Sequence, residues 1–285
     1  AIIHPHIRGE VALLVYKTAD SILVEDNGSF YNTGAASLDA LINHENLHEH
    51  LRSIVAEGKA VSAPQSFQAP VGAQEIWASG VTYYRSRNAR MEESKDAGGG
   101  DFYDRVYSAE RPELFFKAPA HRVVAHEGHV RIRKDATWSV PEPELTLVIN
   151  ARAEIVGYTI GNDMSSRDIE GVNPLYLPQA KVYNGSCSIG PALLIQPAPL
   201  PASTEISIEI QRGGAPVFTG ATSLAEMKRN PQELVEYLYR ELDFPQGAFL
   251  LTGTGVVPPD NFTLQSGDRI AISIAGIGTL VNTVA

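Results

Sequence analysis

The stretch Val140-Pro141-Glu142-Pro143-Glu144-Leu145-Thr146-Leu147-Val148-Ile149 opens on acids and continues as an apolar β run. Residues two apart in a strand point to one face, so the carboxylates of Glu142 and Glu144 converge. Two close, unpaired carboxylates repel, and one of them retains a proton. A divalent cation removes that conflict. Asp163, in Gly161-Asn162-Asp163 after the apolar run Ile155 to Ile160, offers a third oxygen ligand. An all-carboxylate set without Cys or His selects a hard ion, Mg²⁺ or Mn²⁺. For the glutamate pair alone, an exposed acidic strand start is the competing reading. Pro143, which has no N–H, suits a strand start or an edge.

Outward from this stretch, the chain from Ile76 onward reads as many short β runs separated by Gly and Pro. They include His121 to Val124, Val130 to Ile132, Leu145 to Ile149, Ile155 to Ile160, Ile206 to Ile210 and Ile270 to Ile274. The pattern predicts a mainly β (α+β) fold, a β-rich sandwich or roll. A helix is expected over Ser223 to Leu242, restarting at Pro231, and a short one within Tyr84 to Ser94. Before Ile76, Val11–Tyr16 and Ser21–Val24 read as a hairpin. Leu38 to Ala60 has helical spacing, with Leu41, Ile42, Leu47, Leu51 and Ile54 on one side. His44, His48 and His50 read as surface residues of that helix. A break at Ala63-Pro64-Gln65 places a domain boundary near residue 70. A small N-terminal domain, 1–70, then precedes a larger β domain, 71–285.

The 285 residues suffice for a full core, and 44% hydrophobic with 20% charged residues is a soluble globular composition. A net charge of −10 argues against nucleic acid or an anionic membrane as partner. No apolar run reaches about 18 residues, so no transmembrane helix is expected. The first residues do not read as a signal peptide. One cysteine, Cys187, fits a reducing cytoplasm and reads as a buried structural thiol.

Three further features carry chemistry. Lys181 stands in the otherwise uncharged Leu177-Pro178-Gln179-Ala180-Lys181-Val182-Tyr183, where a lysine is either paired with a carboxylate or set to meet an anion. Thr252-Gly253-Thr254 lies in a turn whose N–H groups and hydroxyls suit a carboxylate or a hydroxyl, although a plain hairpin loop is equally compatible. Ser94 to Asp104 contains three consecutive glycines. It reads either as a surface loop or as a lid over an active site.

In order along the chain, these pieces resemble the fumarylacetoacetate hydrolase family. The resemblance rests on Ser79-Gly80-Val81-Thr82-Tyr83, Pro112 through Pro119, Glu142-Pro143-Glu144-Leu145, Gly157 through Asp163 with Ser166-Arg167-Asp168, Lys181 through Pro191, and Leu251-Thr252-Gly253-Thr254. It covers roughly residues 75–280. It implies a mixed β-sandwich roll with a small N-terminal α/β domain, assembled as a homodimer or homotetramer. It further implies that Glu142, Glu144 and Asp163 bind Mg²⁺ or Mn²⁺. Lys181 would stand beside a substrate keto group, with Thr252, Gly253 and Thr254 on the substrate's carboxylate side.

One departure from the family pattern bears on the reaction. Members that hydrolyse carbon–carbon bonds carry a histidine three positions after the early tyrosine. Here that position is Ser86, and no histidine occurs between His50 and His121. Without that base, attack of water on a ketone is poorly supported. His126 and His129 read as surface residues. Gly80 to Tyr83, Leu175 to Lys181 and Asn184 to Cys187 are similar to the dehydratases of 2-keto-3-deoxy sugar acids within the family. That similarity implies a cytoplasmic, Mg²⁺-dependent lyase of pentose catabolism. Its substrate would be a 2-keto acid such as 2-keto-3-deoxy-D-arabinonate, and its product 2,5-dioxopentanoate. Glu113 is the candidate for proton transfer, a salt bridge to Arg111 or Lys117 being its other reading. Arg85, Ser86 and Arg87 are placed to meet a hydroxylated anion. The rivals are an acylpyruvate-type C–C hydrolase, a metal-dependent decarboxylase or tautomerase of 2-keto acids, and a silent keto-acid-binding protein.

Overall fold

The computed structural model describes residues 12–83 and 105–285. The expected helix within Tyr84 to Ser94, the triple-glycine segment, and Arg85, Ser86 and Arg87 fall outside the described residues.

Near the N-terminus, β1 (Leu13–Lys17), β2 (Ile22–Asp26) and β3 (Ser29–Asn32) form a meander, followed by helices α1 (Leu38–Ile42) and α2 (Leu47–Glu57). The single helix expected over Leu38 to Ala60 is therefore two. Ser37 caps α1, its side chain accepting from the Ala40 N–H, and Asn43 ends it. The chain restarts after Asn46. At the end of α1 the Asn43 side chain donates back to the Asp39 carbonyl at 2.8 Å, a polar side chain competing for the helix's own backbone groups.

The strands that follow are β4 (Glu75–Gly80), β5 (Glu113–Pro119), β6 (Val123–Val124), β7 (His129–Val130), β8 (Ser139–Val140), β9 (Pro143–Ile149), β10 (Ile155–Asp163), β11 (Ser165–Ser166) and β12 (Cys187–Ile195). After them come β13 (Glu205–Arg212), β14 (Ala215–Ser223), β15 (Ala248–Leu251), β16 (Arg269–Ile274) and β17 (Gly278–Val284). A ten-stranded sheet has the order β3-β2-β1-β12-β10-β9-β15-β4-β5, with β6 beside β12. A five-stranded sheet has the order β14-β13-β16-β17-β7, and β8 pairs with β11. The N-terminal meander is continuous with the large sheet through the pairing of β1 with β12.

Period-two alternation sets the layers. Leu145, Leu147 and Ile149 face one way and pack with Ile206, Ile208, Ile270, Ile272 and Leu280 of the five-stranded sheet. Val148, Phe249 and Leu251 face the other way and pack with Leu38, Leu41 and Leu51 of α1 and α2. The large sheet is thus covered on both faces. That is why β9, β12 and β15 are buried along their whole length and read as near-continuous apolar runs.

The late helix spans Pro231–Leu238, not Ser223 onward. Residues before it finish β14 and a short 3₁₀ turn at Leu224–Glu226. Asn230 caps the helix by accepting from Gln232 N, and Pro231 takes the first position, where a missing N–H costs nothing. His126 is only half-exposed, its Nδ1 accepting from the Val281 N–H at 3.1 Å. His129 lies exposed in β7.

Candidate active site

Glu142 immediately precedes β9 and Glu144 is its second residue, so both share the face of Thr146 and Val148. Asp163 ends β10, opposite Cys187. The Asp163 N–H donates to the Glu142 carbonyl at 3.0 Å, which locks the two ligand-bearing segments together. One carboxylate oxygen from each of Glu142, Glu144 and Asp163 lies within 4.8 Å of the others. All three residues are at most 3% exposed.

Three buried cations interleave with these acids. Lys181, the last residue of the helix Leu177–Lys181, donates to Glu142 Oε2 at 2.5 Å and to Asp163 Oδ2 at 3.0 Å. Arg167 donates to Glu142 Oε1 at 2.9 Å. Lys117 pairs with Asp163 Oδ1. The charges of these six groups cancel in number, yet not in position. Burial, then the nearby Asp163 and Glu142, push the Glu144 carboxyl well above the usual range. The cationic partners of Asp163 outweigh its burial and hold its carboxyl below the usual range. Among the described residues, Glu144 Oε2 accepts only a backbone hydrogen bond, from Gly253 N at 2.6 Å. The cradle is therefore short of positive charge at Glu144. Each carboxylate oxygen keeps a further lone pair for a ligand bond. An all-oxygen, buried donor set of this kind fits Mg²⁺ or Mn²⁺.

The turn Thr252-Gly253-Thr254 closes one side. Gly253 has φ +90°, which lets its N–H reach Glu144. The Thr252 hydroxyl donates to the Leu145 carbonyl at 2.8 Å and that of Thr254 to the Val256 carbonyl at 3.1 Å. Both hydroxyls are thus engaged with main chain. Thr82 Oγ1 donates to the Thr252 carbonyl at 2.6 Å, tying the β4 exit to this turn. Beside it, Val81 has φ +54°, a left-handed conformation that costs a β-branched residue roughly 1–3 kcal/mol.

Glu113 begins β5 opposite Gly80. It shares a strand face with Phe115, whose ring lies 5.9 Å from Lys181 Nζ. Glu113 Oε2 is buried and has no hydrogen-bond partner among the described residues. Four residues beyond Glu113, the β4–β5 register slips, and Lys117 faces no residue of β4. Lys117 stands at this irregularity, and its ammonium meets Asp163 in the acid cluster.

Lys117 and Arg167 were not singled out as site residues from sequence. The signal for Lys117 was present: an isolated charge inside Leu114-Phe115-Phe116-Lys117-Ala118, the same pattern that marked Lys181.

The profile of the fumarylacetoacetate (FAA) hydrolase C-terminal domain matches residues 76–285. The chain belongs to the fumarylacetoacetate hydrolase family. Within this family it is 51% identical over 216 residues to a probable 2-keto-3-deoxyxylonate dehydratase of Haloferax volcanii, covering 75% of this chain and 73% of that one. It is 36% identical over 273 residues to the 2-dehydro-3-deoxy-D-arabinonate dehydratase of Saccharolobus solfataricus, covering 93% and 92%. A solved 2-keto-3-deoxy-D-arabinonate dehydratase, complexed with magnesium and 2,5-dioxopentanoate, superposes with a TM-score of 0.81. It is 32% identical and covers 96% of this chain and 98% of its own. Family membership also accounts for the mixed, mainly β architecture described above.

Proposed function

We propose that this chain is a Mg²⁺-dependent dehydratase of a 2-keto-3-deoxy sugar acid such as 2-keto-3-deoxy-D-arabinonate, releasing water and 2,5-dioxopentanoate. The observation that carries the reading is the Lys181 ammonium held between two carboxylates of a buried three-acid cradle. The dehydratase relatives and the magnesium-bound neighbour support it.

Glu142, Glu144 and Asp163 would hold the metal, which when bound would supply Lewis acidity to the keto-acid end of the substrate. Lys181 adds positive charge beside the keto oxygen as the C3 proton leaves. Glu113, whose Oε2 has no hydrogen-bond partner among the described residues, takes that proton and returns it to the departing C4 hydroxyl. Loss of water leaves a C3–C4 double bond conjugated to the ketone. Moving protons from C5 and its hydroxyl to C3 and C4 then gives the 2,5-dioxo product. Gly253 fixes Glu144, and Thr252 and Thr254 shape the substrate's carboxylate side. Arg85, Ser86 and Arg87 are the candidates to meet its hydroxyl end.

The six buried groups bring three negative and three positive charges. A bound divalent ion leaves a positive surplus, which a keto-acid anion and its enolate complement. In its wider context the chain reads as a cytoplasmic enzyme of pentose catabolism, a homodimer or homotetramer. A small domain, 1–70, precedes the catalytic domain, 71–285. Among the described residues no helix is long and apolar enough to cross a membrane.

Supplying a 2-keto-3-deoxy pentonate and an acylpyruvate side by side tests the reading. Dehydration of the first with no pyruvate from the second is the expected outcome. Pyruvate release without dehydration would replace this reading by the hydrolase one.

A further inference from the structure

A lysine taken fully out of water is costly unless its charge and all its donors are matched. Lys117 is 0% exposed. An ammonium has three donors, and Lys117 Nζ has three acceptors. They are Asp163 Oδ1, the Met164 carbonyl at 3.1 Å and the Lys181 carbonyl at 2.5 Å. With every donor committed to protein, Lys117 has none left for a substrate. Its partners are instead the two elements on which the proposed chemistry depends: the end of β10, which carries Asp163, and the last residue of the helix that carries Lys181.

We propose that Lys117 is a positioning residue: it staples the main chain of Lys181 to the metal-ligand carboxylate of Asp163 and so sets where the Lys181 ammonium stands. The proposal rests on the reading of Lys181 given above.

Three features support it. The helix Leu177–Lys181 is only five residues long. So short a helix has little cooperativity of its own, and its last carbonyls lack intrahelical partners. Lys117 supplies the donor to the final one, with the positive charge that a helix C-terminus favours. Next, Asp163 is shared, with Lys117 on Oδ1 and Lys181 Nζ on Oδ2. One carboxylate therefore holds both ends of Lys181, its side chain directly and its main chain through Lys117. Lastly, the register slip at Lys117 interrupts the β4–β5 ladder where the side chain turns toward Asp163. The strand gives up regular pairing at the residue that makes the staple.

A lysine that only balanced charge would be replaceable by arginine. A staple would not, because a planar guanidinium cannot direct three hydrogen bonds from a single terminal nitrogen. The experiment measures binding of Mg²⁺, then of oxalate to the Mg²⁺-loaded protein, by calorimetry. The proteins are the wild type, Lys117→Arg, Lys117→Met, Lys181→Met and the Lys117→Met/Lys181→Met double variant. Oxalate, a planar bidentate dianion, probes the site without turnover. Amide hydrogen exchange over residues 177–182 is followed in the ligand-free proteins.

Both Lys117 variants should lose about tenfold or more in oxalate affinity while still binding Mg²⁺, within the coupling expected of one ion-pair network. The double variant should bind oxalate no more weakly than Lys181→Met alone. Exchange at Val182 N–H, which donates to the Pro178 carbonyl, should quicken in both Lys117 variants. Wild-type oxalate affinity in Lys117→Arg, or losses that multiply in the double variant, would overturn the proposal. If Lys117→Met does not fold, Lys117→Arg carries the test. A wild type that binds Mg²⁺ but not oxalate would count against the functional reading, and the exchange rates would then decide the staple by themselves.

Discussion

The Glu113 carboxylate lies directly over Gly80: a β-carbon on Gly80 would stand 2.1 Å from Glu113 Oε2. The early motif therefore needs glycine here for close approach, not for a turn. In Gly80→Ala the clashing group is the far end of a flexible side chain, so the fold should accept the methyl and the carboxylate should move. Misplacing a catalytic group by about 1 Å costs on the order of 10²-fold in rate. We expect kcat to fall by roughly that factor, with Mg²⁺ affinity and the thermal midpoint near wild type. Unchanged kcat would remove Glu113 from the proton-transfer role.

Replacing Lys181 by Met should spare metal binding and lower kcat by about 10²–10³-fold, as loss of a preorganised charge at a developing oxyanion does. It also leaves Glu142 and Asp163 short of a buried partner, a loss worth about 3–5 kcal/mol when one member of a buried pair is removed. The metal-free variant should melt well below the wild type, and Mg²⁺ should recover much of the difference. Melting curves with and without Mg²⁺, read beside turnover, check both halves.

Metal should stabilise the fold, because the folded cradle brings together carboxylates that the unfolded chain separates. At a free Mg²⁺ concentration near 100 times Kd the gain is about 2.7 kcal/mol. Glu144→Gln should weaken binding by at least the roughly tenfold that losing even an outer partner of a metal ligand costs. Denaturant titrations at two Mg²⁺ concentrations measure the gain. An equal Mg²⁺ response in wild type and Glu144→Gln would exclude Glu144 as a ligand.

Cys187 is fully buried in β12 opposite Asp163, and burial pushes its thiol up to about 12. Thiolate is the reactive form. The native protein should therefore resist a thiol reagent at pH 8, and one thiol per chain should react once it is unfolded. Rapid native labelling would contradict the placement of β12 at the centre of the large sheet.

The site was legible where local parity governs it. Glu142 and Glu144 face one way because strands alternate, and Asp163 ends the apolar run that pairs with theirs. Lys181 stood out as a lone charge among apolar neighbours. Lys117 carried the same signal, but its partners, Asp163 and the Lys181 carbonyl, are 46 or more positions away and meet it only in the fold. Arg167 reaches Glu142 across 25 positions of chain, a pairing only the fold creates. The β sandwich followed from many short apolar runs. The break of the expected Leu38 to Ala60 helix and the late start at Pro231 run against apolar periodicity that carries on across the breaks: Asn43 bonds back to the Asp39 carbonyl and Asn230 caps Pro231–Leu238.

The most direct measurement of the central claim incubates metal-stripped protein with 2-keto-3-deoxy-D-arabinonate, with and without added Mg²⁺, and quantifies 2,5-dioxopentanoate. The account predicts product only when Mg²⁺ is restored, and almost none from Lys181→Met under the same conditions. Equal product without metal, or no product at any Mg²⁺ concentration, would contradict it.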